Sequence, residues 1–231
     1  MAGVPQHLTQ ARRILEWSIS VYCERIALAC SFGGPAGMVL VDLLHDIDPS
    51  VPVYYLDTGL LFPQTYALVE HVRRRYGITP LAVEPELSVG AQAAQYGEAL
   101  WERDPDLCCD LRKVRPQHAF LSNYAAWITG LRRDQSGTRR ELEVVESDPQ
   151  SRDRIKINPL AAWSEAECWD YIRANDVPYN PLHDAAFPSI GCVPCTRSVL
   201  AGEDARAGRW SGFAKTECGL HVASPARDAQ R

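Results

Sequence analysis

The sequence predicts an α/β protein built on a doubly wound, mostly parallel sheet. Two patterns carry that expectation. Short apolar runs alternate with segments of helical period, and the first two runs end directly in turn sequences, Ser31-Phe-Gly-Gly-Pro-Ala-Gly37 and Asp57-Thr-Gly59. Strand, turn and helix in repeated succession mark a sheet wound on both faces.

The elements follow in order. Ile14, Trp17 and Val21, with Leu15, Ile19 and Tyr22, recur at helical spacing, so residues 11–22 read as a helix. Ile26-Ala-Leu-Ala-Cys30 is short and wholly apolar, a buried strand that enters the 31–37 loop, and 38–44 returns as a helix. Residues 51–56 form a second strand. Pro63 stands where a first helical residue is favoured and opens a helix to about Tyr76. Leu81-Ala-Val83 is a third, weak strand, and 89–100 reads as helical. Trp127-Ile-Thr-Gly130 is another strand, with short candidates at 144–147 and 155–158. Ser164-Glu-Ala-Glu167 is a capping-box pattern that starts a helix to about Asn175. From Asn180 the chain is irregular, and beyond Leu200 it is polar, glycine-bearing and poor in apolar anchors. Residues 1–200 are therefore expected to form one domain and 201–231 a mobile tail. Ligands of such sheets bind beyond the carboxyl ends of the strands, where both turn sequences fall.

Composition narrows the function. Of 231 residues, 46% are hydrophobic and 23% charged, ordinary values for a globular chain. A net charge of −5 argues against a general duplex-DNA binder, so no nucleic-acid partner is expected. No apolar run approaches the roughly 18 residues that would cross a bilayer. The opening Met1-Ala-Gly-Val-Pro-Gln-His7 lacks the charged-then-apolar pattern of a secretory signal. A cytoplasmic location is expected, where structural disulfides are rare. Whether copies of the chain associate is left open.

Eight cysteines then need another explanation. Cys23, Cys30 and Cys168 lie in apolar surroundings and read as buried fillers. Cys108-Cys109 and Cys192-Val-Pro-Cys195 supply four thiols, the ligand count of zinc or an iron–sulfur cluster. Neighbouring side chains diverge, which suits separate irons better than one zinc, so one [4Fe–4S] cluster is favoured. A redox dithiol at Cys192 and Cys195 remains the alternative. Lys113 follows Cys109 by four residues, and on a helix its ammonium returns toward the same side; a solvated face is the plain reading. Cys218, in Glu217-Cys-Gly-Leu-His221, sits in the polar tail as either an incidental or a nucleophilic thiol. The 31–37 loop is either a phosphate cradle or a tight turn, and it is not a Walker sequence. Arg132, Arg133, Arg139, Arg140, Arg206 and Arg209 form a pool of planar anion-binding forks.

Together these residues resemble the assimilatory adenylyl-sulfate (APS) reductases, the iron–sulfur branch of the phosphoadenylyl-sulfate (PAPS) reductase family. The resemblance rests on Ser-Phe-Gly-Gly at 31–34, Tyr-Leu-Asp-Thr-Gly at 55–59, Cys-Cys-Asp-Leu-Arg-Lys at 108–113 and Gly-Leu-Arg-Arg-Asp-Gln-Ser at 130–136. It continues through Gly-Cys-Val-Pro-Cys-Thr-Arg at 191–197, Gly-Arg-Trp at 208–210 and Glu-Cys-Gly-Leu-His at 217–221.

The resemblance implies an adenine-nucleotide alpha-hydrolase-like sheet and a thioredoxin-dependent reduction of APS to sulfite and AMP, serving sulfate assimilation and cysteine biosynthesis. It implies that Cys218 is the nucleophile and carries an S-sulfocysteine. Lys113, Arg139, Arg206 and Arg209 would supply positive charge, with His221 near the sulfate. Cys108, Cys109, Cys192 and Cys195 would hold the cluster, which tunes charge at the site. Leu56 and Gly130 would touch the adenine through backbone atoms. Many members carry acidic residues in the first loop where this chain has Pro35-Ala36-Gly37, so the implied contacts there are Ser31, Gly33 and Gly34. Three other functions compete: a PAPS reductase that keeps a cluster, a non-enzymatic iron–sulfur sensor, and an ATP-pyrophosphatase of the tRNA-thiolation kind. The last needs a Ser-Gly-Gly-x-Asp-Ser loop, whose Asp and final Ser are missing here.

Overall fold

A computed structural model describes residues 6–221. The opening residues 1–5 and the last ten of the expected tail lie outside the described residues. Six strands form one sheet in the order β3-β2-β1-β4-β6-β5. They are β1 (Ile26–Ala29), β2 (Val53–Leu56), β3 (Leu81–Val83), β4 (Ala126–Thr129), β5 (Val145–Asp148) and β6 (Ser151–Ile157). All neighbours are parallel except the edge pair β5–β6, an antiparallel hairpin. The doubly wound expectation therefore holds, and the two late strand candidates prove to be the arms of that hairpin.

Residue alternation separates the two faces. Ile26 and Leu28 of β1 join Ile128 and Ile157 in the large core, beneath α1 (Gln6–Tyr22), α2 (Pro35–Ile47), α3 (Pro63–Tyr76) and α8 (Glu165–Ala174). Ala27 faces the other way with Tyr54 and Trp127, against Leu121 of α7 (Arg115–Leu121). Helix α2 is apolar almost all round, with eight buried residues from Pro35 to Leu44, as befits a helix packed on several sides. It starts at Pro35, so the last three residues of the expected 31–37 loop are its first turn. Proline at the first helical position explains the early start, since its missing N–H would have had no partner there anyway.

Other boundaries differ for local reasons. The first helix is already present at Gln6, the first described residue, rather than from 11. The 89–100 helix ends at Tyr96, because Gly97 takes a left-handed φ of 86° and the chain restarts as α5 (Leu100–Arg103) after α4 (Val89–Tyr96). The capping box at Ser164 is present in both directions: Ser164 Oγ accepts from the Glu167 N–H at 3.2 Å, and the Ser164 N–H donates to Glu167 Oε2 at 2.7 Å. Cys30 and Cys168 are buried fillers as expected, but Cys23 is exposed. The chain leaves α1 there with a positive φ of 48°, turning that side chain outward from the apolar face.

The chain order switches between β1 and β4. β1 is followed by strands on one side, β4 by strands on the other, and the crevice between their carboxyl ends opens there. Gly130, just past β4, packs against the first turn of α2. A Cβ on it would lie 3.0 Å from the Gly37 nitrogen and 3.2 Å from Ala36 Cβ. Gly130→Ala should therefore push this crossing apart at a cost of about 1–3 kcal/mol. In a chain of this size that lowers Tm by roughly 2–12 °C, read by a thermal melt; an unchanged Tm would mean the crossing is slack.

Candidate active site

A cavity of about 290 Å³ opens at the β1–β4 switch point. Its floor is made by Ser31, Gly33 and Gly34 after β1, Leu56 at the end of β2, and Gly130 after β4. The N-terminus of α2 points into it, an anion-attracting end. Lys113, Arg139, Arg206, Arg209, Cys218 and His221 complete the wall. All eleven residues expected in catalysis and substrate binding thus meet at one place, though they come from six separate parts of the chain.

The described part of the tail, 201–221, folds back over the strand ends. Its anchor is Trp210, 3% exposed, whose backbone N–H donates to the Cys195 carbonyl at 3.1 Å. Around its indole stand three cations: Arg209 at 4.5 Å, Lys215 at 5.5 Å and Arg206 at 6.0 Å from the ring centre. Such contacts hold cations in place without neutralising them. The guanidinium of Arg209 lies directly on Gly191, where any Cβ would collide with it.

Burial in this cavity is polar. Tyr54 Oη, Trp127 Nε1, Arg209 Nε, Trp210 Nε1 and His221 Nδ1 are buried without hydrogen-bond partners among the described residues, and all five residues line the cavity. Each such atom is costly to leave unsatisfied, so their concentration marks a place shaped for a polar ligand. His221 stacks on Trp127 at 5.6 Å with the rings 8° from parallel. Burial first, and then Lys156, Arg139 and Arg206, push its imidazole well below its usual range. It is neutral here, so it offers a hydrogen bond rather than a cation.

The four expected metal ligands lie beside this cavity. Cys108 and Cys109 end α6 (Pro105–Cys109), which passes into a π-helical turn at Asp110–Val114 before α7. Cys192 and Cys195 bracket a short 3₁₀ turn. Cys108, Cys109 and Cys192 are each 6% exposed, all eight cysteines are free thiols, and the four sit close enough to feel one another's charge. Burial pushes Cys109 up to about 11 and Cys195 up to about 12, so without a metal both stay protonated. Among the described residues no three Cys, His, Asp or Glu side chains converge as they would on a single ion. Three of the four thiols are buried and Cys195 is half-buried, and thiols of this kind are donors that iron–sulfur groups and zinc both accept. Lys113 is half-buried beside them. Burial works against its charge, but Cys192, Cys109 and Cys218 in their thiolate forms outweigh it, so that its ammonium is then held more firmly than usual.

Three residues that sequence reasoning passed over organise the thiols. Thr58 Oγ1 lies 3.3 Å from Cys192 Sγ, and Gln92 Nε2 lies 3.9 Å from Cys108 Sγ. Arg112 ties them together, donating Nε to the Thr58 carbonyl at 2.6 Å and Nη1 to Gln92 Oε1 at 3.0 Å. Thr58 belongs to the Asp57-Thr-Gly59 turn, so that turn serves the cysteine loop as well as the cavity. Of the arginine pool, Arg132 is a buried structural residue, paired with Asp134 at 3.0 Å.

Fold and site define a doubly wound α/β protein of the nucleotide-binding kind, with the thiol of Cys218 and several cationic side chains on one cavity at its strand ends. The family model for the phosphoadenosine phosphosulfate reductase domain matches residues 25–198. The chain is 46% identical to the adenosine 5′-phosphosulfate reductase of Staphylococcus haemolyticus, over 92% of this chain and 87% of that one. It is 49% identical to adenosine 5′-phosphosulfate reductase 2 of Bacillus subtilis, over 90% and 88%. The solved phosphoadenylyl-sulfate reductase of Candida auris superposes with a TM-score of 0.71 at 32% identity, covering 86% of this chain and 99% of that one. The chain belongs to the phosphoadenosine phosphosulfate reductase family, within its adenosine 5′-phosphosulfate reductase group. Among the described residues no helix is long and apolar enough to cross a membrane.

The neutral His221 makes docking of the tail pH-dependent. Undocked, the imidazole titrates near its ordinary value of about 6.5; docked, it is depressed. Its contribution to docking is complete above about pH 6.5 and is lost as pH falls below, by at most about 1.4 kcal/mol per pH unit. Proteolysis within 202–219 should therefore accelerate between pH 7.5 and 5.5, and His221→Gln should flatten that dependence. An unchanged profile in the variant would remove His221 as the cause.

Proposed function

We propose that this chain is a thioredoxin-dependent adenylyl-sulfate reductase that works through an S-sulfocysteine at Cys218. The observation that carries the reading is that Cys218 borders the same cavity as the glycine floor, within electrostatic reach of Lys113 and Arg206, with Arg209 on the same wall. The nucleotide would lie on Ser31, Gly33 and Gly34, with Leu56 and Gly130 offering backbone atoms to the base.

The thiolate of Cys218 attacks the sulfonyl sulfur of APS. The bond from that sulfur to the phosphate oxygen breaks, and AMP departs with the electron pair. Cationic side chains fixed beforehand stabilise the charge that spreads over sulfonyl and phosphate oxygens, and this is usually the largest contribution to such catalysis. A thiolate of the dithiol partner, thioredoxin or a similar protein, then attacks the Cys218 sulfur and expels sulfite. Its second thiol resolves the mixed disulfide, so two electrons pass from the dithiol to the sulfur and Cys218 returns as a thiol. In this reading the sulfite serves sulfate assimilation and cysteine synthesis, with the enzyme acting in the cytoplasm.

Cys108, Cys109, Cys192 and Cys195 would hold one [4Fe–4S] cluster. When bound, it supplies a fixed charge centre beside the substrate. Lys113 bridges the two regions: it is within electrostatic reach of Cys109 and Cys192 on one side and of Cys218 on the other. The relatives' name, adenosine 5′-phosphosulfate reductase, supports APS rather than PAPS as the substrate here.

Two experiments test this. Wild-type protein given APS without a dithiol should stall with one added SO3 group, located on Cys218 by peptide mass spectrometry. Cys218→Ser should still bind the nucleotide and release no sulfite, because a hydroxyl is far less ionised at neutral pH. An SO3 group elsewhere, or turnover by the Ser variant, refutes the mechanism. Separately, anaerobically purified protein should contain about four irons and four sulfides per chain, and Cys195→Ser should lose them. Stoichiometric zinc in active protein would refute the cluster.

A further inference from the structure

We infer that Glu217 and Arg139 form a latch that seats the reactive thiol, so that Arg139 serves to dock the tail while Arg209 remains free to meet the substrate. The arginines around the cavity look alike in sequence, but their hydrogen bonds differ. Arg139 donates Nε to Glu217 Oε1 at 3.1 Å and Nη2 to Glu217 Oε2 at 2.8 Å, a side-on pair of parallel bonds. Its Nη1 is engaged by Gln135 Oε1. All three nitrogens are therefore committed. Arg206 grips the same stretch of chain from another side: its Nη2 donates to the Thr216 carbonyl at 2.7 Å and lies 3.8 Å from Glu217 Oε2. Arg209, by contrast, keeps a buried Nε without a partner among the described residues and makes only long contacts of 3.3 and 3.4 Å through Nη1.

The pair is also well protected. The side chains of Arg139 and Glu217 are 11% and 12% exposed, and a two-pronged arginine–carboxylate contact fixes orientation as well as distance. Glu217 directly precedes Cys218. Residue 217 is thus held from two sides, and the thiol of the next residue inherits its position. Beyond it, the Gly219 carbonyl accepts from Gln150 Nε2 at 3.3 Å, and His221 stacks on Trp127, so the docked stretch runs from 216 to 221 with its strongest contact at 217. Glu217 is a positioning residue: it touches no reacting atom and acts through Cys218. A carboxylate so close to an attacking thiolate would only disfavour the reaction if it were free; its ion pair with Arg139 removes that penalty while it anchors the tail.

This inference deepens the reading of Cys218 as nucleophile, but it can be tested with no substrate present. The anaerobically purified full chain is treated with iodoacetamide, and labelling of Cys218 is followed by peptide mass spectrometry, with exposed Cys23 as internal reference. Glu217→Gln should speed Cys218 labelling relative to Cys23 by at least about tenfold, equivalent to about 1.4 kcal/mol of docking. Arg139→Gln should do the same, and the double variant should go no further than the larger single, as required of partners in one contact. Glu217→Asp should fall between wild type and Glu217→Gln. If Arg139→Gln fails to fold, Arg139→Lys, which keeps the charge but not the parallel bonds, takes its place. Unchanged labelling in Glu217→Gln, or factors that multiply in the double variant, would overturn the latch. Either result leaves the location of an SO3 group as a separate test of the reaction.

Discussion

The crossing of the β4 exit over the first turn of α2 is the constraint on which the rest depends. At Gly130 the backbone comes within contact distance of Ala36 and Gly37, and a side chain there would force these neighbours to give way by a few tenths of an ångström. That approach brings two strand ends and one helix N-terminus to a single crevice. The glycine floor, the anion-attracting helix end and the entry to the arginine-bearing 131–139 segment all take their places from it. The apolar circumference of α2 supplies the force, since so fully buried a helix has little room to shift.

Onto this rigid floor the protein adds a wall of cations held by different means. Lys113 is stabilised by neighbouring thiols despite its burial, Arg209 by the face of Trp210 and by the space above Gly191, and Arg206 by a tail carbonyl. Positive charge is thereby concentrated on one wall, where the nearby carboxylate of Glu217 is taken up chiefly by Arg139. Cations placed in this way need little rearrangement when a sulfonyl or phosphate oxygen arrives, and preorganised charge of this kind is what lowers barriers for anionic transition states.

Much of this is legible in the chain and some is not. Strands such as Ile26–Ala29 and the Ser164 capping box announce themselves through local pattern. Pro35 signals the early start of α2, but the glycines before it make 31–37 look like one continuous loop. The gathering of Cys108, Cys109, Cys192 and Cys195 follows from thiol count and spacing. The supporting set of Thr58, Gln92 and Arg112 does not, because Thr58 and Arg112 meet across 54 residues and no local rule singles out an ordinary Thr, Gln or Arg. Cys23 misleads because apolar neighbours in sequence say nothing of a positive φ that turns the side chain outward. The tail looks unanchored in sequence because, among the described residues, it is held mainly by Trp210, by the stacking of His221 on Trp127 and by polar contacts.

The base of that tail is laid against the Cys192–Cys195 turn: Arg197 pairs with Gly208, Thr196 bridges to Arg209, and Trp210 bonds to Cys195. That turn in turn leans on Leu60 and Leu61 after β2. The molecule is thus assembled like a stack, each layer needing the one beneath. Emerging from a ribosome, the sheet is complete before the cysteine turn exists, and the turn before the tail can land. A nascent or half-built chain consequently has no closed chamber, and Cys218 is among the last pieces delivered to it.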